Sequence, residues 1–259
     1  MPQLPPTDTS SLLARLGDAQ GFELRLLARR NLGRSLVCLE LEGAPPDLAP
    51  APGQDLMVAV PVEGGDGSFR RRYSIRHFNA AAARIELWID TAAGGPGSRW
   101  AASAPIGSTI EAIGPRGKIG LDPMADWHLF IGDLSFLPAA FAMAESIEPP
   151  GQAIFLFELD GSDGALRPDV GEGIGLTLGI IERGGRPLGD ATGLLSGLAA
   201  LELPDDEGHA YVGGELRVVA ALRAALEERG LASASIDAKP YWRRGVANLA
   251  HGEPRKDLD

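Results

Sequence analysis

Sulfur is scarce in this chain. Its 259 residues include one cysteine, Cys38, which excludes an intramolecular disulfide framework and any zinc site built on thiolates. Four histidines, His77, His128, His209 and His251, are scattered without the close spacing of a histidine metal cluster. Lysine is almost missing: Lys118, Lys239 and Lys256 are the only lysines among 24 basic residues, and from that bias alone no function follows. No apolar run approaches the roughly 18–20 residues that a membrane-spanning helix requires. Met1–Ser11 is rich in Pro, Thr and Ser and lacks the basic start and apolar stretch of a signal peptide. A net charge of -11 disfavours nucleic acid and anionic membranes as partners. The expectation is a soluble cytoplasmic protein, in a compartment where one free thiol is harmless.

What is present is ample material for a core. With 44% hydrophobic residues, the length suits one large domain or two of roughly 100–150 residues. The first half reads as short strands punctuated by turns: Phe22–Leu27, Ser35–Leu41, Leu56–Val62, Arg70–Phe78, Arg84–Asp90 and Ser108–Ile113. Asn31-Leu32-Gly33, the Pro-rich Ala44–Gly53 and the Gly-rich Glu63–Ser68 separate them, and only Gly97–Ser103 looks helical. This pattern predicts a small barrel or sandwich. Near Leu121-Asp122-Pro123 the character changes. Strands at Trp127–Ile131, Gln152–Leu159, Ile174–Ile181 and His209–Val212 alternate with helices at Ser135–Ile147, Leu194–Leu201 and Glu215–Arg229, which predicts a parallel sheet with crossovers. The domains are expected at 1–121 and 122–259, with a polar tail from Gly252 to Asp259.

Two segments carry the chemistry. In Arg70-Arg71-Arg72-Tyr73-Ser74-Ile75-Arg76, the guanidiniums of Arg71 and Arg76 suit a pyrophosphate, because guanidinium meets phosphate oxygens as a fork. Tyr73 offers a flat face for a planar ring system, and Ser74 a hydroxyl or N–H beside it. Taken alone, the run reads more readily as a charged strand edge kept outward against aggregation. The second segment, Gly94-Gly95-Pro96-Gly97-Ser98-Arg99-Trp100-Ala101, is a Gly-rich turn entering a helix, where free N–H groups and missing Cβ atoms suit a phosphate. Singly it is an ordinary capped turn. Together, about 20 residues apart, the two point to a bound nucleotide.

These pieces resemble those of a known family. Arg71-Arg72-Tyr73-Ser74-Ile75-Arg76 resembles the flavin-binding motif of the ferredoxin-reductase superfamily in the form found in siderophore-interacting proteins, the FAD-containing ferric-siderophore reductases. Gly95-Pro96-Gly97-Ser98-Arg99-Trp100-Ala101 resembles their Gly-Pro-Ala-Ser-x-Trp-Ala segment, and Gly114-Pro115-Arg116-Gly117 their barrel-closing turn. Gly132-Asp133-Leu134-Ser135-Phe136-Leu137-Pro138-Ala139 is similar to Gly-Asp-Glu-Thr-x-Leu-Pro-Ala, Gly213-Gly214-Glu215 to Ala-Gly-Glu, and Tyr241-Trp242-Arg243-Arg244-Gly245 to their C-terminal motif. The order is that of the family from about residue 22 to 247.

The resemblance implies an antiparallel FAD-binding β-barrel followed by an α/β parallel-sheet domain for NADPH or NADH. It assigns Arg71 to the pyrophosphate, Tyr73 to the isoalloxazine face, Ser74 to the flavin N5 edge, and Gly97 and Ser98 to phosphate contacts. Gly95, Pro96 and Trp100 belong to that second segment, and Tyr241 and Trp242 cover part of the FAD. Gly132, Asp133, Gly213 and Glu215 border the nicotinamide cleft at the carboxyl ends of parallel strands, where open α/β sheets bind ligands. Lys239, Arg243 and Arg244 are candidate cations for substrate, or equally a solvated basic end. The implied activity is NAD(P)H-dependent reduction of a ferric siderophore or other ferric chelate, releasing iron(II). Some features depart from the pattern: Leu134 stands in place of an acid, Met57 where some relatives carry a lysine, and no histidine lies near Asp90-Thr91. They motivate two competing expectations, a flavin reductase for another acceptor and a binding module without turnover. No metal site and no general acid or base is expected.

Overall fold

The structure, a computed structural model, describes residues 21–62, 64 and 67–246. The readings for Met1–Ser11, for the centre of the Glu63–Ser68 turn and for Gly252–Asp259 lie outside those residues. Six short strands, some alternating apolar and polar side chains and some almost wholly apolar, make up the first half. They are β1 (Gly21–Asn31), β2 (Leu36–Glu42), β3 (Asp55–Pro61), β4 (Ser68–Asn79), β5 (Arg84–Asp90) and β6 (Thr109–Arg116). They close into a barrel in the order β1-β2-β5-β4-β3-β6, every neighbouring pair antiparallel. Alternate residues such as Leu24 and Leu26, Leu39 and Leu41, Leu56, Val58 and Val60, and Ile85, Leu87 and Ile89 fill its interior. Helix α1 (Pro96–Ser103) begins with Pro96 in its first turn, where the missing N–H costs nothing, and sinks Ala101 into the barrel core.

The second half is a five-stranded parallel sheet. Its elements are β7 (Trp127–Asp133), α2 (Leu137–Ala144), β8 (Gly151–Leu159), β9 (Ile174–Glu182), α3 (Thr192–Ala200), β10 (Gly208–Glu215), α4 (Leu216–Glu228) and β11 (Ile236–Trp242). The strand order is β11-β10-β7-β8-β9. Strands β7 and β8 are buried on both faces, as central parallel strands are. One face packs Phe130, Phe136, Phe155, Phe157 and Tyr211 with α2, and the other packs Leu129, Ile131, Ile154 and Val212 with α3 and α4. A barrel followed by a parallel α/β sheet is the architecture expected from the pattern. The expected helix from Ser135 is shorter, and β10 runs on through the glycines to Glu215. Strand β11 was not expected, because Pro240 interrupts its apolar pattern; it is an edge strand, where a missing N–H is tolerated.

The two halves share a core. Leu36 and Trp88, on the outer surface of the barrel, pack into the aromatic layer around Phe141 on α2. Arg76 of β4 lies 4.6 Å over the Trp88 ring and forks onto Glu145, just past α2, with both N···O distances 2.6 Å. Buried Asp55 at the start of β3 accepts a fork from Arg72 at 2.7 Å on each oxygen and a third bond, 2.8 Å, from Lys239 of β11. Five charged groups and one aromatic seam therefore fix the second domain against β3 and β4. Asp55→Asn leaves two desolvated cations without a full charge partner. It is expected to lower stability by about 2–3 kcal/mol in chemical denaturation, at or below the low end of the roughly 3–5 kcal/mol for broken buried pairs because Arg72 and Lys239 keep some solvent.

A second junction follows the barrel. The Tyr211 hydroxyl accepts the Asp122 N–H at 2.8 Å and meets His128 Nδ1 at 3.2 Å, so His128 is a buried histidine of the sheet. His209, stacked on Tyr211, lies 3.2 Å from Asp122 and 3.4 Å from Asp237. Burial alone would lower its pKa, but the two carboxylates outweigh that and raise it above 6.5. A raised folded value means the stabilisation is complete below the unfolded pKa and is lost as pH rises through the folded one. Relative to His209→Gln, the wild type should therefore lose stability as pH rises above about 6.5 and through the raised folded value, by less than about 1 kcal/mol, since both aspartates are well exposed. Melting curves of both proteins across that range measure it.

Candidate functional site

The two-residue period of a strand splits the arginine-rich motif of β4 between two surroundings. Arg71 and Tyr73 face α1, whereas Arg72, Ser74 and Arg76 face the second domain. Gly97 is what lets α1 approach. A Cβ there would overlap the Tyr73 hydroxyl and press on Arg71 Cγ, so an alanine cannot be seated without moving the tyrosine. The Tyr73 ring stacks on Trp100, centroids 6.4 Å apart and planes 18° apart. Burial pushes the Tyr73 hydroxyl up, keeping it neutral, and lowers the pKa of the Arg71 guanidinium, which lies over the Phe69 ring at 5.4 Å. Ser98 gives its hydroxyl to the Asp90 carbonyl at 3.1 Å, so what it presents at the helix start is its backbone. Gly95 precedes that start and Pro96 opens it, which leaves a helix N-terminus with its positive end beside Arg71 and Tyr73.

On the other face of β4, the Ser74 hydroxyl lies 3.4 Å from the Tyr241 hydroxyl of β11. Tyr241 leans on Phe136 and carries Lys239 over its ring at 5.2 Å. Trp242 donates its indole N–H to Asp133 at 2.9 Å. The structure thus brings Ser74 and Tyr241 together on the face of β4 toward the second domain, with Tyr73 on the opposite face and Trp242 at Asp133. It does not bring Arg76 beside Arg71, since the strand turns them to opposite sides and Arg76 is bonded to Glu145. Of the substrate cations, Lys239 is bonded to Asp55, while Arg243 and Arg244 are exposed. Met57 lies half-buried in an apolar groove outside the barrel with Phe22 and Ile113.

The parallel sheet supplies the second part. Counted in chain order its strands run 5-4-1-2-3, so the direction of winding reverses between β7 and β10. A doubly wound sheet opens a dinucleotide crevice at that reversal. Gly132 and Gly213 are register partners there, and a Cβ on either would overlap the other strand's carbonyl or the Phe136 ring. Asp133 accepts four bonds: Ser135 N–H at 3.0 Å, Ser135 hydroxyl at 2.5 Å, Glu215 N–H at 3.0 Å and Trp242 Nε1 at 2.9 Å. Desolvation at the cleft floor nevertheless raises its pKa, against those bonds. Buried Glu215 caps α4 by accepting the Arg217 and Val218 N–H groups, and takes the Arg244 N–H on its other oxygen. Both acids therefore shape the cleft rather than offer free oxygens to a ligand. Leu134 lines its wall beside Asp90, Glu158, Asp160, Asp163 and Arg183.

Sequence reasoning missed Asp55, Glu145, Asp90 and the Asp160–Arg183 pair. Each is a single charge on an otherwise unremarkable segment, and its partners lie 17 to 184 positions away where they are side chains. Only the apolar run opened by Asp55 gave a signal, an acid at the edge of a buried strand.

Residues 35–119 match the siderophore-interacting FAD-binding domain and residues 125–245 the siderophore-interacting protein family. Ferric vibriobactin reductase ViuB of Vibrio cholerae is 31% identical over 191 residues, 71% of this chain and 68% of that protein. Ferredoxin–NADP reductase B of Sorangium cellulosum is 34% identical over 107 residues, 40% of this chain and 43% of that protein. A siderophore utilization protein from T. fusca superposes with a TM-score of 0.79 at 27% identity, covering 90% of this chain and 96% of the other. FAD, with a nicotinamide nucleotide, is the cofactor set these likenesses support, and the missing Cβ of Gly97 lets the positive start of α1 lie against Tyr73 and Arg71, a cationic helix end that suits the diphosphate of a flavin dinucleotide. Among the described residues no helix is long and apolar enough to cross a membrane. A barrel with an FAD-domain match, joined to a doubly wound sheet with a family match of its own, places this chain in the siderophore-interacting protein family, with a flavin-dependent reductase fold.

Proposed function

We propose that the protein is a cytoplasmic NAD(P)H-dependent reductase that uses FAD to deliver electrons to a ferric siderophore, releasing iron(II). The observation that carries this reading is the junction at β4. An arginine and a tyrosine meet a helix N-terminus through Gly97 on one side, and a serine meets the C-terminal tyrosine on the other. In this reading the Arg71 guanidinium and the first N–H groups of α1 hold the diphosphate. Tyr73 and Trp100 give the ring system an apolar wall, and the Ser74 and Tyr241 hydroxyls mark its polar edge. Bound FAD supplies a two-electron acceptor that returns electrons singly. The protein's own contribution is to fix the three reactants in place and exclude water. Arg76, clamped by Glu145 and Trp88, sets the position of β4 against α2 and so acts as a positioning residue. Each nicotinamide oxidised provides two electrons, enough for two ferric centres, and iron(II) is held weakly by the oxygen donors that hold iron(III).

Lys239, drawn onto Asp55, and Met57, lying in an apolar groove, favour a second reading in which the acceptor is not a strongly anionic chelate. The two separate in one assay. Under anaerobic conditions NADH or NADPH is expected to bleach the flavin band, and a ferric siderophore to restore it with iron(II) captured by a ferrous chelator. Bleaching without restoration by any of a panel of ferric chelates favours the second reading, and no bleaching defeats both.

The cradle yields a sharper expectation. Arg71→Ala should weaken FAD binding about 10- to 150-fold, the equivalent of about 1.5–3 kcal/mol for a bond to a charged group, in a barrel that stays folded by circular dichroism. Gly97→Ala should also weaken FAD, by displacing Tyr73, and change the flavin absorption band. Unaltered affinity in both folded variants contradicts the assignment.

A further inference from the structure

The crossover between β8 and β9 holds an acid that the proposed reaction does not use. Parallel strands are usually joined through an α-helix, but the element between these two is a single 3-10 turn, Gly161–Ala165. Asp163 on that turn is 1% exposed, a rare burial for an acid. It reaches across to the β1–β2 turn of the barrel, where its two oxygens take the Ser35 N–H at 3.1 and 3.2 Å. Gly33 makes the space, since a Cβ there would overlap the Asp163 carboxylate.

From Ser35 a path of direct bonds leads to the start of α1. The Ser35 carbonyl accepts both the N–H and the hydroxyl of Thr91, at 2.8 and 2.9 Å, and the Thr91 carbonyl accepts the Gly94 N–H at 3.2 Å. Gly94 leads directly into Gly95, which caps α1. A second tie returns from the helix itself: Ser98 donates its hydroxyl to the Asp90 carbonyl at 3.1 Å, and Asp90 is the register partner of Leu36. Both ties end on neighbouring residues of the barrel, and Asp163 grips one of them from the second domain. Resting on the reading that the start of α1 takes the FAD diphosphate, we infer that Asp163 is a positioning residue for FAD, which sets the place of the first N–H groups of α1 by fixing Ser35. It acts through Ser35 and Thr91, not on the cofactor itself. A small shift of the helix start suffices for an effect, because hydrogen bonds weaken steeply once donor and acceptor fall out of line.

Titration of the flavin-stripped full chain with FAD, followed by flavin fluorescence and absorption, reads this role without turnover. Asp163→Ala is expected to weaken FAD about 3- to 30-fold and to shift the flavin band, the size of effect that a residue acting at a distance through a bonded path exerts. Asp163→Asn keeps an acceptor for the Ser35 N–H and should bind FAD more tightly than Asp163→Ala. Gly33→Ala leaves the acid in the chain but pushes it off Ser35, so it should reproduce the loss and serves where Asp163→Ala fails to fold. The double variant should lose no more than the weaker-binding single one, because both act on one contact. A loss below threefold in the folded variants overturns the inference, even where the melting temperature falls, since that marks a role in stability alone. Additive losses in the double variant, or Asp163→Asn binding no better than Asp163→Ala, overturn it as well. FAD held equally by wild type and variants sinks only the role of Asp163, whereas a wild type that takes up no FAD defeats the reductase reading itself.

Discussion

The alternation of side chains along β4 is the constraint on which the site depends. Seven consecutive residues carry four arginines, a tyrosine and a serine, and a strand sends neighbours to opposite faces. Arg71 and Tyr73 go to the helix start beyond β5, while Arg72, Ser74 and Arg76 go to the second domain. One strand thereby builds a nucleotide cradle and an interdomain joint at once, and the distance between the two functions is fixed by the strand's own geometry. A displacement of either domain against β4 would be felt at the cradle.

That coupling is strengthened from the other side. Asp55 draws Arg72 and Lys239 together across the domain boundary, and Lys239 sits over the Tyr241 ring, two residues along β11. Tyr241 meets Ser74, and Trp242 is tied to Asp133 at the floor of the nucleotide cleft. A chain of direct contacts therefore runs from β3 through β11 to β7. It connects the cradle that suits FAD with the crevice where the sheet reverses its winding. Along this path the buried carboxylate of Asp55 is paired with two cations and that of Asp133 accepts four hydrogen bonds, so neither is left bare.

Much of this was legible in the sequence, for identifiable reasons. The apolar run Leu56–Val62, the period-two alternation of Arg84–Asp90 and the strand–helix alternation after Leu121 follow from local burial and need no partner to be named. The Gly-Pro-Gly-Ser turn is a local signal too, because the missing Cβ at Gly97 and the proline of the first turn are properties of those residues themselves. The rest is set by distant partners. Nothing near Arg76 announces Glu145, and Pro240 hides an edge strand whose pairing with β10 decides where Tyr241 lands. The acids Asp133 and Glu215 are legible as cleft residues, yet the bonds that occupy their oxygens come from Trp242, Ser135 and Arg244.

The most direct test of the central claim is an experimental structure of the protein with FAD bound. The account predicts electron density for the ring system against Tyr73, close to the Ser74 and Tyr241 hydroxyls, with the diphosphate at Arg71 and the first turn of α1. Density placing the flavin instead in the acidic cleft between Asp90 and Asp133, away from Tyr73 and Arg71, would contradict it.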